Sequence, residues 1–185
     1  MSRRLFIKYR NQIANTERTI LEQTFLDIPC GTEYEKRLYT EIVSKYMEDN
    51  EWLQLVTLAH HKRTNRLMHS MHVSYLCFLQ AYRMNWDYKS AAIGGLLHDF
   101  VLFSKKDYRV TRWGEIWCFH HPKEALKMAT SKYHLNERTK DIIRKHMFPV
   151  AGSFPKYKET YLIVYWDKYC AVREYFHRPK EVVVC

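Results

Sequence analysis

Apolar positions recur at helical spacing along most of the chain, and few residues interrupt them. Phe6, Tyr9, Ile13, Ile20 and Phe25, with Arg, Asn, Glu and Gln between them, predict a first helix over residues 3–27. A break follows at Pro29, Cys30 and Gly31. Tyr34, Leu38, Ile42, Tyr46 and Met47 then form a cleaner amphipathic stripe, and Trp52, Leu55, Val56 and Ala59 continue it as a further short helix. From about Thr64 to Met84, Leu67, Met68, Met71, Tyr75, Phe78, Leu79 and Tyr82 cover one broad face, as in a helix mostly buried in its domain. Residues 88–103 are the most apolar segment, which predicts a central helix, with Gly94 and Gly95 permitting close approach by a neighbour.

The polar and aromatic string KKDYRVTRWGEIWCFH leads from there to Pro122. A proline suits the first position of a helix, where its missing N–H needs no partner, so a helix is predicted over 122–134. Asn136 is a plausible N-cap for the next one, which carries Ile142, Ile143 and His146 and which Pro149 should end or closely follow. After the loop 149–157, a last long helix holds Tyr161, Leu162, Val164, Tyr165 and Ala171, with Asp167 in their midst. The whole reads as an all-α chain without internal repeat or linker.

Composition narrows this picture. With 185 residues, 46% of them hydrophobic, and only five glycines and five prolines, the chain has material for one sizeable core and few turns for a β-sandwich. Thirty Lys and Arg against twenty Asp and Glu give a formal charge of +10 and favour an anionic partner: a phosphate ester, a nucleotide, RNA or DNA. The basic residues are dispersed, from Arg3, Arg4, Lys8 and Arg10 through Lys62 and Arg63 to Lys180, which fits a solvated surface as well as a binding face. Five cysteines without a CxxC pair point to neither a disulfide framework nor a cysteine zinc site, and reduced cytosol is the simplest compartment. The N-terminal string MSRRLFIKYRNQ carries no signal-peptide core. No membrane span is expected either, because the apolar run AAIGGLLHDFVLF is short and contains His98 and Asp99.

That adjacent pair, set in the middle of the predicted central helix, is the first chemical signal. A carboxylate buried there costs several kcal/mol unless it is paired, hydrogen-bonded or coordinated to a cation. A core histidine bonded to a carbonyl would account for the dipeptide taken alone. Its company changes the weighting: His69 lies in one apolar helix, His121 at the start of another, His146 near the end of a third and Asp167 inside a fourth. Imidazole and carboxylate together suit Zn, Mn, Fe, Co or Ni, whereas oxygen ligands alone suit Mg or Ca. Six such groups exceed the needs of one tetrahedral ion, so two ions are geometrically possible.

Several strings resemble the motifs of HD-domain proteins. Arg66 to Ser70 (RLMHS), followed by Val73, looks like the opening R-x-x-H-S-x-x-V motif; AAIGGLLHD looks like the second, 29 residues on (98 − 69). HHPKEALKMA, IIRKHMFP and YLIVYWDKYCAVRE resemble the later histidine and aspartate motifs of two-metal members, so the likeness covers about Arg66 to Glu174. It implies an HD-type helical bundle over residues 61–178, with extra N-terminal helices over 1–60 packing on the core and a tail over 179–185. It further implies that His69, His98, Asp99 and Asp167 hold one divalent ion, and that Asp99, His121 and His146 hold a second, with Asp99 bridging. The implied cofactor is one or two ions among Fe, Mn, Zn, Co, Ni or Mg. Such pairs activate a water for attack on phosphorus, which makes a metal-dependent phosphohydrolase the leading expectation. Its substrate would be a small anionic phosphate ester: a nucleotide, a dinucleoside polyphosphate or a sugar phosphate.

Asp99 and His98 carry the chemistry in that reading, and Arg66, Lys168 and Lys145 stand beside motif residues where a phosphate could be bound. Two other classes compete: a diiron oxygenase of the same superfamily, and a non-catalytic module whose metal core is structural and whose basic surface binds nucleic acid or protein. The second motif continues as Phe100, Val101 and Leu102 where many relatives have I-G-K. The usual lysine is absent, which counts against a mechanism needing a cation there, and Lys105 and Lys106 of the following loop are the residues that could reach in. The Gly-Tyr-Pro motif of cyclic-dinucleotide phosphodiesterases is absent. His72, one turn from His69, and His120, beside His121, are weaker ligand candidates; His60, His61, His134 and His177 read as surface or structural residues.

Overall fold

The computed structural model describes residues 16–60, 64–103, 117–151 and 153–176. Phe6, Tyr9 and Ile13 of the first predicted helix, the connection with Lys105 and Lys106, His61, His177 and the tail over 179–185 lie outside them. The described chain is all-α. Helix α1 covers 16–27, α2 Glu33–Met47 and α3 Asn50–Leu53, which runs into a 3-10 turn, Gln54–Thr57. A minimal antiparallel pairing of Ala59–His60 with Thr64–Asn65 precedes α4, Arg66–Arg83. Then come α5, Tyr88–Leu97; α6, Trp117–Lys132; α7, Glu137–Lys145; and α8, Lys158–Phe176. No helix among the described residues is long and apolar enough to cross a membrane.

Local signals set most of these boundaries. Thr32 and Glu35 form a reciprocal capping box at the start of α2, and Asn65, Asp87 and Asn136 each cap a helix by accepting a backbone N–H three residues on. Helix α4 is the axis of the bundle: fifteen of its eighteen residues are buried, so its apolar face spans nearly its whole circumference. It packs along α5 and α8. Residues from α1, α2 and α3 enter the same core, with Ile20, Tyr39, Tyr46 and Trp52 fully buried beside Tyr75 and Phe78 of α4. The rings of Tyr39 and Tyr75 stand 5.0 Å apart and those of Tyr39 and Phe78 5.3 Å, tilted as aromatic pairs prefer.

Several boundaries differ from the sequence reading: Ala59 lies in the short strand and not in a helix, α7 ends at Lys145 with His146 as its C-cap, and two further differences bear on the site. Helix α5 ends at Leu97, with His98 as its C-cap, so His98 and Asp99 sit at a helix end and not in the middle of one. Beyond it, tight turns hold the chain, the Val101 N–H donating to the Asp99 carbonyl at 2.8 Å, while Phe100 and Val101 are fully buried. The apolar run continues because the core continues, although the helix has stopped. Helix α6 starts at Trp117, leaving Pro122 inside it and not at its first position. Pro122 is the sixth residue of the helix, past the first turn whose N–H groups go unpaired, so its missing N–H forfeits one backbone bond.

Gly95 governs how closely α5 can approach α4. A Cβ there would lie 2.7 Å from the Ser74 Cα and 3.1 Å from its amide nitrogen, both backbone atoms that cannot swing aside. Gly95→Ala is therefore expected to push α5 off α4 and to cost about 1–3 kcal/mol, as overpacking does. Urea unfolding of the variant measures the loss; unchanged stability would contradict this packing.

Candidate metal centre

The interior ends of α4, α5, α6, α7 and α8 bring all six predicted ligands to one place. His69 comes from the first turn of α4, His98 and Asp99 from the end of α5, His121 from α6, His146 from the C-cap of α7 and Asp167 from the middle of α8. The four histidines are at most 3% exposed and Asp99 is 6% exposed. Ligand atoms of His69, His98 and Asp99 lie within 4.8 Å of one another, and so do those of Asp99, His121 and His146. Asp99 belongs to both groups and divides its oxygens between them: Oδ2 is 3.9 Å from His98 Nε2, while Oδ1 is 3.4 Å from His121 Nε2 and 3.9 Å from His146 Nε2. Asp167 Oδ1 joins the first group at 3.1 Å from His69 Nε2 and 3.7 Å from His98 Nε2.

Backbone carbonyls fix how three of these rings carry their protons. His98 Nδ1 donates to the Gly95 carbonyl at 2.7 Å, His121 Nδ1 to Trp117 at 2.8 Å and His146 Nδ1 to Ile143 at 2.8 Å. A carbonyl oxygen only accepts, so each neutral ring presents a bare lone pair at Nε2. The Nε2 atoms of His121 and His146 nevertheless face one another at 2.8 Å. Two lone pairs at that distance repel unless a proton or a cation lies with them. Burial, first, and the neighbouring His121 and His98 push the His146 pKa down to about 3; burial likewise lowers that of His121, outweighing the pull of Asp99. Neither ring therefore keeps a second proton near neutrality. Among the described residues His98 Nε2 is buried without a hydrogen-bond partner, and the carboxylates of Asp99 and Asp167 lie 3.9 and 3.7 Å from it. Three bare nitrogen lone pairs thus converge on carboxylate oxygens, and this donor set fits a divalent cation of the borderline class.

His69 is the exception, with a carboxylate at each nitrogen: Glu174 Oε2 at 2.9 Å from Nδ1 and Asp167 Oδ1 at 3.1 Å from Nε2. Burial works against its charge, yet the two acids outweigh burial and raise its pKa to about 10. They in turn are held low, Asp167 well below the carboxylate range, as burial is overcome by His69 and His98.

The expected phosphate-binding residues have other partners. Arg66 is 3% exposed, and its Nη1 donates to the carbonyls of Val101 at 2.5 Å and Phe103 at 3.1 Å. Lys168 is half-buried and donates to the His146 carbonyl at 3.3 Å; Lys145 is paired with Asp141 at 2.5 Å and bonded to the Phe154 carbonyl at 2.9 Å. His120 is half-buried with its Nε2 3.9 Å from Glu124, and His134 is exposed.

Sequence reasoning missed Glu174, His72 as its partner, and Asp27. Their spacing held a signal: 167 and 174 are seven residues apart on one helix, and 69 and 72 are three apart on another, so each pair shares a face. Comparison of the chain with family models, with curated proteins and with solved structures found no match.

Proposed function

We propose that this chain is a metal-dependent phosphohydrolase of HD type, with the two residue groups that share Asp99 as its active centre. The observation that carries the reading is the proton-poor convergence of His98, His121 and His146 on the carboxylate of Asp99. Divalent ions bound there would supply Lewis-acid chemistry, acidifying a water and offsetting charge on phosphoryl oxygens.

The chain's own residues do the rest. The backbone carbonyls of Gly95, Trp117 and Ile143 orient three imidazoles in one tautomer, so these rings need no change of tautomer on ligation. Asp99 ties the two groups together through its separate oxygens. Lys168, beside Asp167, half-buried and held among the described residues only by a 3.3 Å bond to the His146 carbonyl, is the cation we assign to a substrate phosphate, since the Arg66 guanidinium is 3% exposed and committed to two carbonyls. The formal charge of +10 favours the approach of an anion.

The test is elemental analysis of protein purified without chelators, joined to a phosphate-release screen over nucleotides, dinucleoside polyphosphates and sugar phosphates, with dissolved oxygen monitored. We expect bound divalent metal and hydrolysis of at least one ester, abolished by chelation and restored by a divalent ion. Metal-loaded protein that releases no phosphate across the screen would defeat the phosphohydrolase reading. Two irons with oxygen consumption would replace it with the oxygenase.

A further inference from the structure

A buried chain of alternating acid and imidazole runs from the first metal group out to the N-terminal helix. Glu174 of α8 accepts from His69 Nδ1 through Oε2 at 2.9 Å and from His72 Nδ1 through Oε1 at 3.2 Å. The other nitrogen of His72 donates to Asp27 Oδ2 of α1 at 3.1 Å. Asp27 Oδ1 accepts from the Gln23 side chain at 2.8 Å, and the Arg173 guanidinium donates to the Asp27 carbonyl. Glu174 and His72 are each 3% exposed.

The geometry dictates roles along this chain. Both nitrogens of His72 face carboxylate oxygens, which only accept, so its ring carries two N–H groups and a positive charge. That charge compensates a Glu174 carboxylate which would otherwise be too costly to bury. Glu174, so held, takes the Nδ1–H of His69 and leaves its Nε2 directed at Asp167 and the metal group. Acids behind metal-bound imidazoles fix the ring, select the tautomer and strengthen the ligand.

We propose that Glu174, His72 and Asp27 are positioning residues that set the metal affinity of the group formed by His69, His98, Asp99 and Asp167. The inference rests on the metal reading given above. It makes α1, which lies outside the segment that carries the HD-like motifs, part of the machinery that aims a ligand.

The experiment compares the full chain with Glu174→Gln, His72→Gln and Asp27→Asn, using Co2+ as the probe in competition with a chromophoric chelator. The visible ligand-field spectrum of the bound cobalt is recorded alongside. Wild type should take up two equivalents. In Glu174→Gln and His72→Gln one equivalent should weaken by about 10- to 100-fold with an altered spectrum, while the other is retained. Asp27→Asn should move the same equivalent in the same direction by less. Glu35→Gln, which loses the ion pair with Arg83 at 3.0 Å and lies off this chain of contacts, serves as a destabilised control and should bind like wild type. If Glu174→Gln fails to fold, His72→Gln decides, together with 15N spectra of the histidines in metal-loaded wild type, where His69 should carry its proton on Nδ1. Two unchanged equivalents in the folded variants, equal weakening in Glu35→Gln, or a proton on Nε2 of His69 would overturn the inference while leaving the two-ion reading intact. No cobalt uptake by wild type would overturn both.

Discussion

Replacing Asp99 by alanine should remove both ions at once, whereas replacing His146 should remove only one. The asymmetry follows from the division of the Asp99 oxygens, one toward His98 and the other toward His121 and His146. Losing the shared carboxylate takes an oxygen donor from each group; losing His146 leaves His69, His98, Asp99 and Asp167 in place. Lewis-acid stabilisation is worth several kcal/mol, so phosphate release by Asp99→Ala should fall on the order of a thousandfold. Metal content and turnover measured on the same samples check this. Full turnover in Asp99→Ala, or loss of only one equivalent, would contradict a bridging role.

The second large effect concerns Arg66. Its buried guanidinium donates to the carbonyls of Val101 and Phe103, and it stands 5.8 Å from the ring of Trp117. Burial lowers its pKa and Asp99 only partly opposes this, so the structure pays to keep a cation at that point. Arg66→Met would leave two carbonyls without their donor just past the ligand pair, at roughly 1–3 kcal/mol each where buried. The midpoint of thermal unfolding should fall by roughly 4–24 °C, at about 2–4 °C per kcal/mol for a chain of this size. Metal uptake should weaken too, because the segment carrying Asp99 loses its tether. A variant as stable as wild type that is impaired only in substrate binding would return Arg66 to the role of phosphate ligand.

The helices were legible because their signals are local. Asn136 caps α7 as its position predicted, and the stripe in α4 lies almost wholly within its buried surface. In α2 the covered face is instead that of Tyr39, Val43, Tyr46 and Met47, one position round from Tyr34, Leu38 and Ile42, and Tyr34 is exposed. The six candidate ligands stood out for a related reason: charged and imidazole groups in apolar surroundings need a partner, and the sequence displays them one by one. What resists reading is the reach of the core beyond a helix. Phe100 and Val101 extend the hydrophobic pattern past Leu97 although the backbone has already turned, so composition alone overextends α5. Glu174 and Asp27 were harder still. They look like ordinary surface acids until folding brings residues 45 and 102 positions from His72 against its two nitrogens.

The account stands most directly on two cations sharing one carboxylate. Crystals grown with Mn2+ and measured at the manganese absorption edge locate such ions without reference to activity. The prediction is two anomalous peaks, each roughly 2.0–2.3 Å from a different oxygen of Asp99, one beside His69 and His98 and the other beside His121 and His146. A single peak that leaves Asp99 untouched, or none at saturating manganese, would contradict it.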